Sequence, residues 1–333
     1  MSPFFLFMKT GIFEFPERKI VRELNMSNNC IDVISIVSAF WVMLAHYSNY
    51  LFDTSDWLVR IPSPYFAVVF FFFISGFLCY GSMQRSTSWY SFLCKRIIRI
   101  YKPLIVVLLF PLLFWFCVGR VEMPFVDLVK YSLKSLLVLN SGYFPNGTFE
   151  NGSLWTIPIQ IQFYLLTPLV VSFLNRTNIL LDSLLFVLLL LVSFAFPYIN
   201  GLFPEQVQGV IVRLCLPHLY IYVFGLLMGK YFMILRLNWL FMAMFAVLTV
   251  LFNVYDYIVF STLSFCLLVL FVSYSFGKCR LKYEFSYSLY LWHMAIFSFV
   301  SSFNYFSAIS IFLLASCCSI IISFISFLLF EQK

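Results

Sequence analysis

A chain of 333 residues that is 62% hydrophobic, 21% aromatic and only 11% charged, with 44 Phe and a mean hydropathy of +0.96, is no water-soluble globular domain, whose charged share is about a quarter. The net charge of +7 requires no nucleic-acid partner, because the basic excess falls between apolar segments, beside lipid head groups. What remains is an all-α polytopic transmembrane helix bundle: backbone in lipid must satisfy its own polar groups, and each crossing takes ~20 apolar residues.

In chain order, residues 1–25 (MSPFFLFMKTGIFEFPERKIVRELN) form a short tail with no secretory h-region ending in a small-residue cleavage site. The tail is expected to be dispensable, either as an exposed cytoplasmic arm or because translation starts at Met26. Residues 26–333 form one integral membrane domain without internal repeat or linker. About ten spans are predicted: 31–52, 65–82, 103–119, 154–174, 180–199, 210–229, 237–253, 257–276, 285–303 and 307–330. With both termini in the cytoplasm, 16 of the 21 Lys and Arg lie inside, leaving Arg60, Arg120, Lys130, Lys134 and Arg213 on or near the outer side, as the positive-inside rule demands. Segment 123–139 carries Asp127, Lys130 and Lys134 and is expected to be an external amphipathic segment rather than an eleventh span. Loops 83–102 and 277–284 are basic and cytoplasmic. Asn146-Gly147-Thr148 and Asn151-Gly152-Ser153 match a glycosylation sequon, but Asn-Gly is also a turn signal, and the turn reading is preferred. The nine cysteines fall singly except Cys317 and Cys318, with no C-x-x-C pair, so they are expected to pack rather than to bind metal or form disulfides.

The first span, IDVISIVSAFWVMLAHYSNYLF, contains His46. An imidazole in hydrocarbon is costly, so an intramembrane histidine is a functional-site hypothesis by default, suited to proton chemistry or ligand contact. At 100° per residue, Ser35 lies about 20° and Asp32 about 40° from His46 around the helix, so the three are expected to line one path of ~20 Å. A plain interhelical hydrogen bond from His46 is an equal alternative on this span alone.

Four further segments carry polar groups. Ser75-Gly76 ends FFFFIS in the second span. In KRIIRIYKP, Arg96 and Arg99 are three residues apart, on one side of a helical turn. They suit either a diphosphate, through guanidinium forks, or a positive-inside anchor. Trp155, Gln160, Gln162 and Tyr164 are placed at the outer start of a span, and Ser286, Tyr290 and His293 in the ninth span, where aromatics also serve as belt anchors.

Taken in order, these segments resemble the membrane-bound acyltransferase 3 family, which O-acylates sugars of cell-surface polysaccharides. The resemblance covers about residues 28–331. The family's Asp-Gly-Leu-Arg start and the His ten residues after its Arg fall on Asp32 to Ser35 and His46. Its Phe-Phe-x-x-Ser-Gly-Phe corresponds, shifted by one, to Phe72 to Phe77, and its Arg-x-x-Arg-x-Tyr-x-Pro to Arg96 to Pro103. Its Trp-x-Leu-x-x-Glu-x-x-Phe-Tyr corresponds to Trp155 to Tyr164, and its Ser-Tyr-x-x-Tyr-Leu-x-His to Ser286 to His293. Phe224-Gly225 and Glu331 also fit. Two positions depart: the family's arginine in the first helix is Ser35, and its glutamate after the tryptophan is Gln160.

The resemblance implies an O-acyltransferase of the bacterial inner membrane, moving an acyl group, expected to be acetyl, from cytoplasmic acetyl-CoA to a hydroxyl of a glycan or lipid-linked glycan such as O-antigen or capsule. His46 is the expected general base, with Asp32 orienting a partner or binding donor. Arg96, Arg99, Lys95 and Lys102 are assigned to the CoA phosphates. Ser35, Ser75, Trp155, Gln160, Tyr164, Arg213 and His293 are expected near the substrates, and His218 is a further polar group in a span. No metal is expected. A polysaccharide transporter is the first alternative, although the paired broken helices of such folds are missing from the sequence. A non-catalytic membrane partner of glycan assembly is the second.

Overall fold

The computed structural model describes residues 29–52, 63–117, 124–136, 151–204, 208, 213–231, 239–254, 257–275, 281–303 and 305–331. The tail 1–25, its boundary at Met26 and Asn146-Gly147-Thr148 lie outside these. The described residues are helical, without strands. The elements are α1 (Ile31–Leu51), α2 (Tyr65–Gln84), α3 (Trp89–Cys117), α4 (Phe125–Leu136), α5 (Thr156–Leu174), α6 (Ile179–Gly201), α7 (Leu219–Tyr231), α8 (Trp239–Val254), α9 (Ile258–Ser275), α10 (Ser286–Ser301) and α11 (Ala308–Ser326). A 3₁₀ turn, Gly152–Trp155, leads into α5, another, Leu216–His218, into α7, and a π turn, Phe327–Glu331, follows α11.

Among the described residues, five helices are long and apolar enough to cross a membrane: Ile31–Leu51, Tyr65–Gln84, Gly152–Leu174, Ile179–Gly201 and Ala308–Glu331; shorter apolar helices join them. Apolar runs become helices because a helix alone satisfies every backbone group within one segment. Polar side chains mark several starts. Ser88 accepts from the Ser91 N–H, Asn178 from the Leu181 N–H and Ser307 from the Ser310 N–H, each satisfying a donor that the first turn leaves without a helical partner.

Two expectations change and one holds. The basic segment 83–102 is not a loop: from Trp89 onward it is helix, continuous with the third predicted span, because its Lys and Arg are good helix formers. Of the sixth predicted span, 210–229, the described residues from 213 on are regular helix only from Leu219; the 3₁₀ turn before it contains Pro217, which fixes φ and lacks an N–H donor. As the sequence indicated, the described part of segment 123–139 is an amphipathic helix, α4, with Lys130 donating to Asp127 at 3.2 Å on an exposed face.

The tightest pairing joins α2 to α7, which run parallel. A Cβ on Gly76 would strike the Tyr222 carbonyl, and one on Gly225 the Phe73 carbonyl; only glycine permits this backbone approach, the use small residues serve between membrane helices. A polar clamp fixes the ends of α5, α6 and α7. The Lys230 ammonium donates to the carbonyls of Leu174 and Thr177 and to Asp182 (2.6 Å), while Tyr231 and Thr177 donate to the same carboxylate at 2.5 Å. All three ammonium donors are thereby used, as burial of a charge requires. On the other side of the bundle, α1 packs parallel to α10 and antiparallel to α11, with Tyr47 stacked on Phe297 and edge-on to Phe312. The core fills the space between these helices, with Tyr47, Phe70, Phe73, Phe163 and Tyr222 fully enclosed.

Candidate active site

A cavity of about 190 Å³ opens between α1, α2, α3, α5 and α10. Its walls carry Asp32 and Ser35 of α1, Ser75 of α2, Arg96 and Arg99 of α3, Thr156, Gln160 and Tyr164 of α5, and Glu284, Ser286, Tyr287 and Tyr290 at the start of α10. Nine residues singled out in the sequence, from Asp32 to Tyr290, thus share one space.

The charged groups gather where α1, α3 and α10 begin. Asp32 lies in the first turn of α1, where a carboxylate complements the helix dipole. Arg99 reaches Glu284 at 3.7 Å and is more than half exposed. Arg96, one turn earlier, is drawn inward, its guanidinium 5.6 Å from the Phe92 ring and 5.7 Å from the Tyr164 ring, within cation–π range. Burial pushes the Glu284 carboxyl above its usual range; the Ser286 hydroxyl and the Arg99 charge oppose this, and nearby Asp32 adds to it. Lys95 and Lys102 are exposed and outside the cavity lining.

Deeper in, the Gln160 amide donates to the Ser75 hydroxyl at 2.6 Å, and that hydroxyl donates to the Tyr164 hydroxyl at 3.4 Å. Gln162, expected beside them, instead braces the chain before α7: it donates to the Arg213 carbonyl at 3.0 Å and accepts from the Cys215 N–H at 2.9 Å. Arg213 is outside the lining. Trp155 also stands back, its ring edge-on to Phe72 and 5.8 Å from the His218 ring.

His46 does not line the cavity, so the single path expected along α1 is incomplete: Asp32 and Ser35 face the cavity, and His46 lies beyond its far wall. The link is His293. Its Nε2 is 3.0 Å from the His46 Nδ1, the two rings are parallel within 3°, and its ring neighbours Tyr290 of the cavity wall at 5.9 Å. Tyr47, next in sequence to His46, donates its hydroxyl to the His293 carbonyl at 2.7 Å. Consecutive residues of α1 therefore grip one residue of α10.

The turn that leads into α5 is enclosed by protein. Asn151, wholly buried, donates to the Leu291 carbonyl at 3.0 Å and accepts from the Ser153 hydroxyl at 2.6 Å. The Tyr290 hydroxyl donates to the Ser153 carbonyl at 2.9 Å and lies 3.0 Å from the Thr156 hydroxyl. From this level α10 continues another ten residues to Ser301, ~15 Å at 1.5 Å per residue. Irregular backbone at such depth is tolerated where protein surrounds it and satisfies its polar groups. Asn151-Gly152-Ser153 is thus a turn, as the sequence indicated, buried against α10.

Sequence reasoning missed Glu284, Thr156, Tyr287, Asn151, Ser153 and Tyr47 as site groups. For Glu284 a signal existed: an acidic residue directly before an apolar run.

A family model described as Acyltransferase domain matches residues 28–328. An O-acetyl transferase of Shigella phage Sf6 is 29% identical over an alignment of 182 residues that covers 50% of this chain and 53% of that protein. Nodulation protein 10 of Rhizobium leguminosarum bv. viciae is 27% identical over 169 residues, 44% of this chain and 45% of that protein. The chain thus spans about half the length of the curated relatives it matches. No solved structure matches.

Proposed function

We propose that this chain, which belongs to the acyltransferase family whose model spans residues 28–328, is an O-acetyltransferase of the bacterial inner membrane that moves acetyl from cytoplasmic acetyl-CoA to a sugar hydroxyl of a surface polysaccharide, such as O-antigen or capsule, or of its lipid-linked precursor. The observation that carries the reading is the placement of Arg96 and Arg99 on the same cavity as Asp32, Ser75, Gln160 and Tyr164, one side chain away from the histidine pair.

The cavity's size supports a division of the donor. About 190 Å³ is smaller than the ~300–1,000 Å³ of pockets that enclose a drug-sized ligand. It suits an acetyl thioester and part of its pantetheine arm, with the nucleotide left at the mouth beside exposed Arg99. Guanidinium groups bind phosphate oxygens bidentately. They also offset the loss of the family's first-helix arginine, here Ser35, because Ser35 faces the same cavity.

In the reaction, which requires the thioester carbonyl to reach past the Tyr290 wall to the histidine pair, His46 takes the proton of the acceptor hydroxyl as the oxygen attacks the carbonyl carbon. The C–O bond forms, the C–S bond breaks, and the proton passes to the departing CoA sulfur. General-base catalysis of this kind contributes roughly 10²–10⁴ in rate. Gln160, which stands where the family motif has a glutamate and cannot act as a carboxylate, supplies a neutral amide among the hydroxyls of Ser75 and Tyr164.

The test is mass spectrometry of surface glycan from a deletion strain and its parent. A loss of one acetyl per repeat unit supports the reading. Unchanged acetylation overturns it in favour of a non-catalytic partner, and loss of glycan export with esters intact overturns it in favour of a transporter.

A further inference from the structure

The two imidazoles are not face to face. Their planes are parallel within 3°, the nearest nitrogens are 3.0 Å apart and the centroids 5.3 Å, an excess of about two ring radii. The rings therefore lie edge to edge in a common plane, the geometry in which one nitrogen's N–H points along the other's lone pair. The second nitrogen of His293 faces the Leu289 carbonyl at 3.2 Å. A carbonyl oxygen only accepts, so Nδ1 of His293 carries the hydrogen. If the ring is neutral, its Nε2 has only a lone pair to offer. His46 must then donate from Nδ1, which leaves the lone pair of His46 on Nε2.

The opposite arrangement requires either two lone pairs facing each other at the Leu289 carbonyl or a doubly protonated His293. The latter places a cation on a side chain with no exposed surface. Among the described residues, neither a hydrogen bond nor an ion pair joins either ring to a carboxylate. An unpaired buried charge of that kind is strongly disfavoured.

Resting on the general-base reading of His46, we propose that His293 is a positioning residue: by accepting from Nδ1–H it locks His46 in the tautomer whose Nε2 takes the acceptor's proton. The register is held from two more directions. Tyr47 donates to the His293 carbonyl and, having spent its only hydrogen there, accepts from Ser319 of α11 at 2.7 Å. Just before His293, Asn151 donates to the Leu291 carbonyl and the Tyr290 hydroxyl donates to the Ser153 carbonyl, so the turn entering α5 is bonded to α10. When His46 takes a proton, its bond to His293 becomes charge-assisted and strengthens, so the same contact that selects the tautomer stabilises the imidazolium formed in the reaction. A neutral partner does this without holding His46 protonated beforehand, as a carboxylate would.

Two near-isosteric polar variants separate the role from packing. In His293→Gln the amide oxygen reaches the place of Nε2 and accepts from His46. In His293→Asn the amide reaches only the place of Nδ1, and His46 loses its acceptor. With acetyl-CoA as donor and membranes of matched protein level, His293→Asn is expected to lower kcat about 10²-fold with KM for acetyl-CoA changed less than about two-fold. His293→Gln is expected to recover at least about ten-fold of the loss. Equal kcat in the two variants, or a wild-type kcat in His293→Asn, overturns the proposal. His46→Ala, measured alongside, tests the reading beneath it: activity retained there removes the general base itself, whereas activity lost there with His293→Asn unaffected removes only the positioning role.

Discussion

Arg99 of α3 and Glu284, two residues before α10, are joined across the cavity mouth with 3.7 Å between Nη2 and Oε2. The carboxylate occupies a guanidinium that the donor's phosphates would use. Burial pushes the Glu284 carboxyl above its ordinary value of 4.5, so the folded chain holds this proton more tightly than the unfolded chain. Its contribution to stability is therefore present at low pH and lost as pH rises through the raised pKa. Below that pKa the carboxyl is neutral and Arg99 is released.

Glu284→Gln should lower the KM for acetyl-CoA at neutral pH about two- to five-fold, the worth of a partly exposed ion pair. In the wild type, KM should fall as pH drops toward the Glu284 pKa, and the variant's profile should be flatter. Steady-state kinetics from about pH 5 to 7.5 decides this. Parallel profiles would mean that Glu284 does not compete for Arg99.

Replacing Arg96 and Arg99 together by Gln should raise the KM for acetyl-CoA at least about ten-fold and lower kcat much less, since a phosphate clamp contributes mainly uniform binding. Lys95→Gln with Lys102→Gln should change KM less than about two-fold, because both side chains stand outside the cavity. If the lysine pair proved as damaging as the arginine pair, donor binding would extend over the whole basic stretch.

Gly225→Ala should cost the protein its fold, with a loss of several kcal/mol, because the new methyl meets the Phe73 backbone rather than a side chain that can turn away. Gly201→Ala is the control, as nothing lies within 4 Å of its added carbon. The measurement is membrane level and the thermal midpoint in detergent. A Gly225→Ala protein as stable as the control would show that α2 and α7 can separate at little cost.

A chain comprising residues 26–333 should retain glycan acetylation in a deletion strain. It loses four basic residues of the tail, yet Arg85, Lys95, Arg96, Arg99, Lys102, Lys278, Arg280 and Lys282 remain to set orientation. A C-terminal reporter checks the side. Activity lost at normal level and orientation would place the tail in the reaction.

Much of the bundle was legible because apolar runs and helical spans coincide in lipid, and because charged or polar residues in such runs are few enough to notice. Arg96 and Arg99 were readable as a pair since their three-residue spacing fixes their common face. The continuity of α3 was not, because lysines and arginines interrupt hydropathy without interrupting helix. Nor was the depth of Asn151, whose polarity signals a surface turn until α10 is known to supply its partners. His46 was conspicuous alone, but its bond to His293, 247 positions away, depends on how α1 and α10 are packed.

The glycines that bring α2 against α7 also decide which walls of the cavity can move. Two backbones in direct contact cannot slide without each carbonyl colliding with the next turn, so α2 and α7 behave as one rigid plate. Phe163 of α5 stacked on Tyr222 at 4.3 Å, and Lys230 fastened to the end of α5, add that helix to it. Ser75, Gln160 and Tyr164 ride on the plate and keep their mutual geometry. Across the mouth, α3 meets the beginning of α10 through the exposed pair of Arg99 and Glu284 and the Tyr287 hydroxyl on the Ile100 carbonyl, polar contacts that can open and re-form at less cost than interlocked backbones.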